Sequence, residues 1–113
     1  MQTMEVRPMR FENLQWVRAA GEMDLCNAHE LTHAVNTSRC NSGDAMVLDL
    51  TDLAFIDSTA VKRVMRLQTE MMEAGVDFTI HVRKGSLVHR VLDVVGVASV
   101  TPVAACKSTV PVQ

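Results

Sequence analysis

Val47-Leu48-Asp49-Leu50-Thr51-Asp52-Leu53-Ala54-Phe55-Ile56-Asp57-Ser58-Thr59-Ala60 is the stretch whose reading decides the fold. Val47 to Leu50 read as a short buried strand. Thr51-Asp52 interrupts the run, and Leu53 to Ile56 give a second apolar segment. Asp57-Ser58-Thr59 then open a long helical pattern. Asp and Ser are favoured where a helix begins, because their oxygens accept the unpaired N–H groups of the first turn. A hydroxyl there sits at the positive end of the helix dipole, where added negative charge is tolerated. Ser58 is therefore a candidate carrier of a phosphate, although by residue type alone an ordinary N-cap is the commoner role.

Upstream of this stretch, Met4 to Arg7 read as an edge strand ending before Pro8, and Leu14 to Ala19 as a second strand. Gly21 supports the turn that follows, where Asp24 by itself is a turn residue. Asn27 to about Thr37 is helical, with Ala28, Leu31, Ala34 and Val35 on one stripe. Ser38 to Asp44 is a polar loop, and Ala45 to Leu50 the central strand.

Downstream, the helix opened at Ser58 runs to about Ala74 and stops at Gly75. Its apolar stripe is Ala60, Val64, Leu67 and Met71, widened by Val61, Met65 and Met72, with Lys62, Arg63 and Arg66 opposite. A methionine-rich stripe at this spacing is read as core packing. Val76 to Val82 alternate as a strand. Ser86 caps a helix clustering Leu87, Val88, Val91, Leu92 and Val95 and ended by Gly96. Val97 to Val103 form the last strand, and residues 104–113 make a loosely ordered tail. Strands alternating with helices after residue 27 give an α/β arrangement with right-handed crossovers. The first two strands form a hairpin, so the sheet is mixed.

Composition narrows the function. A chain of 113 residues holds one hydrophobic core and not two. A net charge of −2 with one Trp, three Phe and no Tyr gives neither a basic patch nor a base-stacking platform for nucleic acid. No apolar run approaches the ~18 residues needed to cross a bilayer, so no membrane partner is expected. With no secretory leader in view and three widely spaced cysteines, a cytoplasmic protein with reduced thiols is expected. No G-x-S-x-G elbow ties Ser58 to a base, which argues against a serine hydrolase. Cys26, His29 and His33 share a helical face, but a structural zinc site wants a fourth ligand. No metal or cofactor is expected.

The run D-L-x-D-L-x-F-I-D-S-T beginning at Asp49 resembles the signature of the STAS domain, and more narrowly that of bacterial anti-sigma factor antagonists. Gly21-Glu22-Met23-Asp24 is similar to that family's G-E-x-D, and the resemblance covers roughly residues 11 to 103. It implies a single STAS-like α/β domain, with a mixed four- to five-stranded sheet and helices mainly on one face. It also implies a phosphorylation site at Ser58. Asp24 and Asp57 would orient the hydroxyl and contact the partner, Thr59 would help cap the helix, and Lys62 would stand at the interface. The implied partner is an anti-sigma factor that is also a serine kinase, bound by the unmodified chain so that a sigma factor is released. Phosphorylation would end that binding and a phosphatase would restore it. The chain would be the substrate, not an enzyme; a homodimer is left open.

One departure stands out. Where the family usually has a glycine two residues after the serine, often followed by Leu-Gly, this chain has Ala60-Val61-Lys62. The alanine methyl removes the close approach that glycine permits, and Lys62 puts a charge where a small residue is expected. The alternative reading is a STAS subunit of another assembly, a lipid-transport complex or a stress-signalling scaffold, without obligatory phosphorylation.

Overall fold

The computed structural model describes residues 3–38 and 41–103. Eight elements follow one another: β1 (Met4–Phe11), β2 (Leu14–Met23), α1 (Ala28–Thr37), β3 (Ala45–Ile56), α2 (Ser58–Glu73), β4 (Asp77–Arg83), α3 (Leu87–Val94) and β5 (Val100–Val103). The five strands form one sheet in the order β1-β2-β3-β4-β5. β1 and β2 are an antiparallel hairpin, and every later neighbour is parallel. Because each crossover steps one strand onward in the same direction, the right-handed rule places all three helices on one face.

The alternation of side chains shows that covered face. Val17 and Ala19 of β2, Met46, Leu48 and Leu50 of β3, and Phe78, Ile80 and Val82 of β4 are buried. They meet Leu31 and Val35 of α1, Val64 and Leu67 of α2, and Val88 and Leu92 of α3 in one cluster. Each fully buried Val or Leu contributes about 1.5–3 kcal/mol relative to exposure. Gln15 also points inward, and its oxygen accepts from Arg10 Nη1 at 2.9 Å.

The opposite face carries polar ties between strands. Asp49 is buried and fully partnered: Trp16 Nε1 donates to Oδ2 at 3.0 Å, while Thr51 donates its N–H and hydroxyl to Oδ1 at 3.0 and 2.6 Å. The Trp16 ring stands edge-on to His81, with centroids 5.3 Å apart. Burial pushes the His81 pKa below its usual value, and the Asp49 charge opposes this less strongly. Arg18 and Arg83 both reach the Asp52 carboxylate.

Several elements depart from the sequence expectation. β1 does not stop before Pro8 but runs to Phe11, with Pro8 opposite Val17. On an edge strand a missing N–H can face away from the ladder, so proline is tolerated. β3 is one strand through Thr51-Asp52 rather than two segments. Relative to β2 it takes up one extra residue between Asp49 and Asp52 and another between Leu53 and Phe55. Such bulges break the two-residue period without ending the strand. The last strand begins at Val100, not Val97; Val97 is buried ahead of it, and Ser99 turns with φ +62°. Met65 and Met72 are 39% and 61% exposed, so the core stripe of α2 is narrower than expected. In α3, Val88 and Leu92 are buried while Leu87 and Val95 face out. The expected loose tail lies outside the described residues.

Candidate partner-docking site

β2 and β3 stay paired beyond the end of β4's contact with β3. The β3–β4 pairing reaches Asp49, whereas β2 and β3 continue to Met23 and Ile56. The two strands thus carry their ends past the rest of the sheet. Asp57 extends the pairing by one bond, its N–H donating to Met23 O at 3.1 Å. Here the G-E-x-D segment and the D-S-T segment meet.

Asp57 is the N-cap of α2, with extended φ −96° and ψ 176°. Its Oδ1 accepts from Ala60 N at 2.8 Å, satisfying an N–H that the helix cannot pair itself. Its Oδ2 accepts from Leu25 N at 3.0 Å, so the same carboxylate pins the turn between β2 and α1. Asp24 organises that turn from within. Its Oδ1 accepts from Cys26 N at 2.9 Å and Asn27 N at 3.2 Å. Asn27 returns the bond, Oδ1 accepting from Asp24 N at 2.9 Å and Nδ2 donating to Glu22 O at 2.8 Å. Asp57 is therefore the cap, a task the resemblance shared with Thr59, and Asp24 bonds to its own turn.

Gly21 explains the first residue of G-E-x-D. It has φ +104°, and a Cβ there would collide with the carbonyl oxygen of Thr3. That carbonyl accepts from Glu22 N at 2.9 Å, so the chain before β1 lies against this point.

On this stage Ser58 is the first residue of α2 and is exposed. Thr59 is half-buried, and Lys62 stands exposed one turn further along. Ala60 is fully buried, so the methyl that replaces the family's usual glycine packs in the core and does not reach the surface. Residues four and seven apart fall on one helix face. Ser58, Lys62, Met65, Thr69 and Met72 therefore form one exposed line along α2. Leu25, 68% exposed, stands on the turn that Asp57 holds.

Sequence reasoning passed over Leu25 and read Asn27 only as the start of a helix. The D-x-x-N spacing ahead of a helix was the available signal for Asn27, since Asp and Asn side chains bond their own turns. Nothing in the sequence distinguished the exposed Leu25 from a core leucine. Cys26 lies in the turn before α1, and among the described residues no three His, Cys, Asp or Glu are grouped as metal ligands.

The family model of the STAS domain matches residues 10–110. The chain belongs to the STAS domain family. No curated protein matches this STAS domain in sequence. Its fold is similar to an anti-sigma factor antagonist from Mycobacterium paratuberculosis, with TM-score 0.77 and 19% identity over 89% of this chain and 87% of the other. It is also similar to part of the murine Solute Carrier 26 family member A9 anion transporter in its inward-facing state. There the TM-score is 0.68 at 14% identity, over 83% of this chain and 17% of the transporter. A protein of the DUF3478 family with a SpoIIAA-like fold, from Shewanella loihica, gives 0.55 at 12% identity, over 85% and 79% of the two chains. At such identities these likenesses show the fold. No helix of the described residues is long and apolar enough to cross a membrane.

Proposed function

We propose that this STAS domain is an anti-sigma factor antagonist whose binding is switched off by phosphorylation of Ser58. The observation that carries the reading is the exposed hydroxyl at the first position of α2, beside a turn that Asp57 fixes in place. In its unmodified form the chain docks an anti-sigma factor in the cytoplasm and a sigma factor is released. Leu25 supplies an apolar contact on one side of Ser58, and Lys62 and Met65 continue the surface along α2. Asp24 and Asp57 act by holding the surface in shape, and Thr59 lies at its edge.

The docked partner is a serine kinase. The Ser58 oxygen attacks the γ-phosphorus of its ATP, the new O–P bond forms, and the bond to ADP breaks. The hydroxyl proton passes to a base on the kinase. This chain is the substrate and supplies no catalytic group, and a phosphatase reverses the step by hydrolysis. The phosphate adds about −1.5 to −2 charges. Two like charges ~4 Å apart repel by roughly 1 kcal/mol in water and about 4 kcal/mol near a protein surface. Against a surface shaped for a neutral hydroxyl, that weakens binding roughly ten- to a thousandfold.

The test is incubation with the cognate anti-sigma kinase and Mg·ATP, followed by intact-mass and peptide analysis. One phosphate on the peptide containing Ser58 is expected, with none on Ser58→Ala. Loss of kinase binding in Ser58→Asp is expected as well. An unmodified chain, and a Ser58→Asp variant that binds as the wild type does, would overturn this reading in favour of a scaffold subunit.

A further inference from the structure

We propose that Lys62 is the counter-ion of the phosphate on Ser58, and so the residue that sets how strongly modification is felt. The inference rests on the switch proposed above and adds to it the group that receives the new charge.

Ser58 and Lys62 are four residues apart on α2 and both are exposed. Side chains at that spacing lie over one another, with Cβ atoms about 5–6 Å apart, and a long ammonium side chain spans the gap. An acidic group on the N-terminal side of the lysine is the favourable order. Among the described residues Lys62 has no carboxylate within ion-pair distance. Nor does the first turn of α2 contain an acid. The N-cap Asp57 already offsets the positive end of α2, with both oxygens held by backbone N–H groups, so Lys62, one turn into the helix, is left without an acid of its own. Phosphorylation of Ser58 supplies one at the favourable spacing.

The other charged groups at this end are engaged or lie on other elements. Both oxygens of Asp57 accept backbone N–H groups, and Asp24 does the same in its turn. Arg63 donates to the Thr32 hydroxyl at 3.3 Å. Glu22, Cys26, His29 and Glu30 belong to β2, the turn and α1. On the line of α2 that contains Ser58, Lys62 is the first cation. Unmodified, its ammonium is free for a carboxylate of the docked partner. Once the phosphate forms, the ammonium turns back to it, so modification both adds negative charge and withdraws a positive contact.

The experiment installs phosphoserine at position 58 during translation, so no kinase or partner is needed. The probe is the phosphate itself, titrated by phosphorus NMR in the wild type, Lys62→Gln and Lys62→Arg. The wild-type phosphate should lose its last proton at lower pH than that of Lys62→Gln, by about threefold in acid constant. Lys62→Arg should restore the wild-type titration, and raised salt should shrink the difference. Titrations that coincide in the wild type and Lys62→Gln would overturn the inference. That result would leave the kinase and binding tests of Ser58 standing, and a failure of those tests would leave this measurement intact.

Discussion

Asp57 has two carboxylate oxygens and two separate tasks. One oxygen caps α2 through Ala60 N; the other holds the turn before α1 through Leu25 N. Replacing a capping Asp by Ala costs about 0.5–2 kcal/mol, and here the second bond is lost with the first. Asp57→Ala should therefore lower stability by about 2 kcal/mol in urea unfolding. Asp57→Asn keeps an acceptor for one N–H only and should fall between the two. A full-sized loss in both would show that charge, not the pair of acceptors, matters. His81 gives a second prediction. Its pKa is lowered by burial despite Asp49, so the unfolded chain takes up the proton first as pH falls. The stability that neutral His81 allows is complete above the usual value of 6.5 and is lost as pH drops from there toward the lowered folded value. Urea midpoints between pH 7.5 and 5 should fall more steeply for the wild type than for His81→Gln, with Trp16 fluorescence as the signal. Equal slopes would remove His81 from the account. The place of Ser58 at the start of α2 could be read from the motif around it, whereas the reciprocal bonds of Asp24 and Asn27 could not. Those bonds depend on the path of a turn, which residue type alone leaves open.

At the scale of elements, the helices were read well because their ends carry chemistry: Asp57 and Ser86 cap, and Gly75 and Gly96 take positive φ. The strands were read less well wherever pairing overrides pattern. Thr51-Asp52 looks like a break because a bulge shifts the alternation, yet β2 continues to pair across it. Met65 and Met72 have the spacing of a core stripe, but α2 rests on a sheet that touches only part of its circumference. Gly21 lets this scale be tested. Its positive φ costs a non-glycine residue about 1–2 kcal/mol, and a Cβ there meets the backbone of Thr3 besides. Gly85 also has positive φ, at +79°, but its Cβ would meet nothing within 4 Å. Gly21→Ala should thus destabilise by clearly more than Gly85→Ala, by at least about 1 kcal/mol in urea unfolding. Similar losses would mean that the chain before β1 yields easily and does not fix the β2 end.

For the whole molecule, the placement of the core decides how the proposed switch would act. Among the described residues the buried apolar side chains form one cluster, and Ala60 and Val61 root the start of α2 in it. Asp57 ties that start both to β2, through Met23 O, and to the turn ahead of α1. Ser58 then projects from a point fixed on three sides, and added charge at its oxygen has no strained element to release. The proposed switch would therefore change the surface and not the fold. Ser58→Asp, or phosphoserine at that position, should leave the melting temperature within about 3 °C of the wild type, as expected for an exposed substitution. Amide chemical-shift changes should be confined to the turn and first half of α1 (residues 22–30) and to the end of β3 with the start of α2 (residues 55–66). Trp16 Nε1–H, bonded to Asp49 on the far face of the sheet, serves as the distant reporter and should not move. Shifts spreading through β4 and β5, or a moved Trp16 signal, would instead mean that modification rearranges the domain. Electrostatic repulsion at one surface would then be too small an effect to describe it.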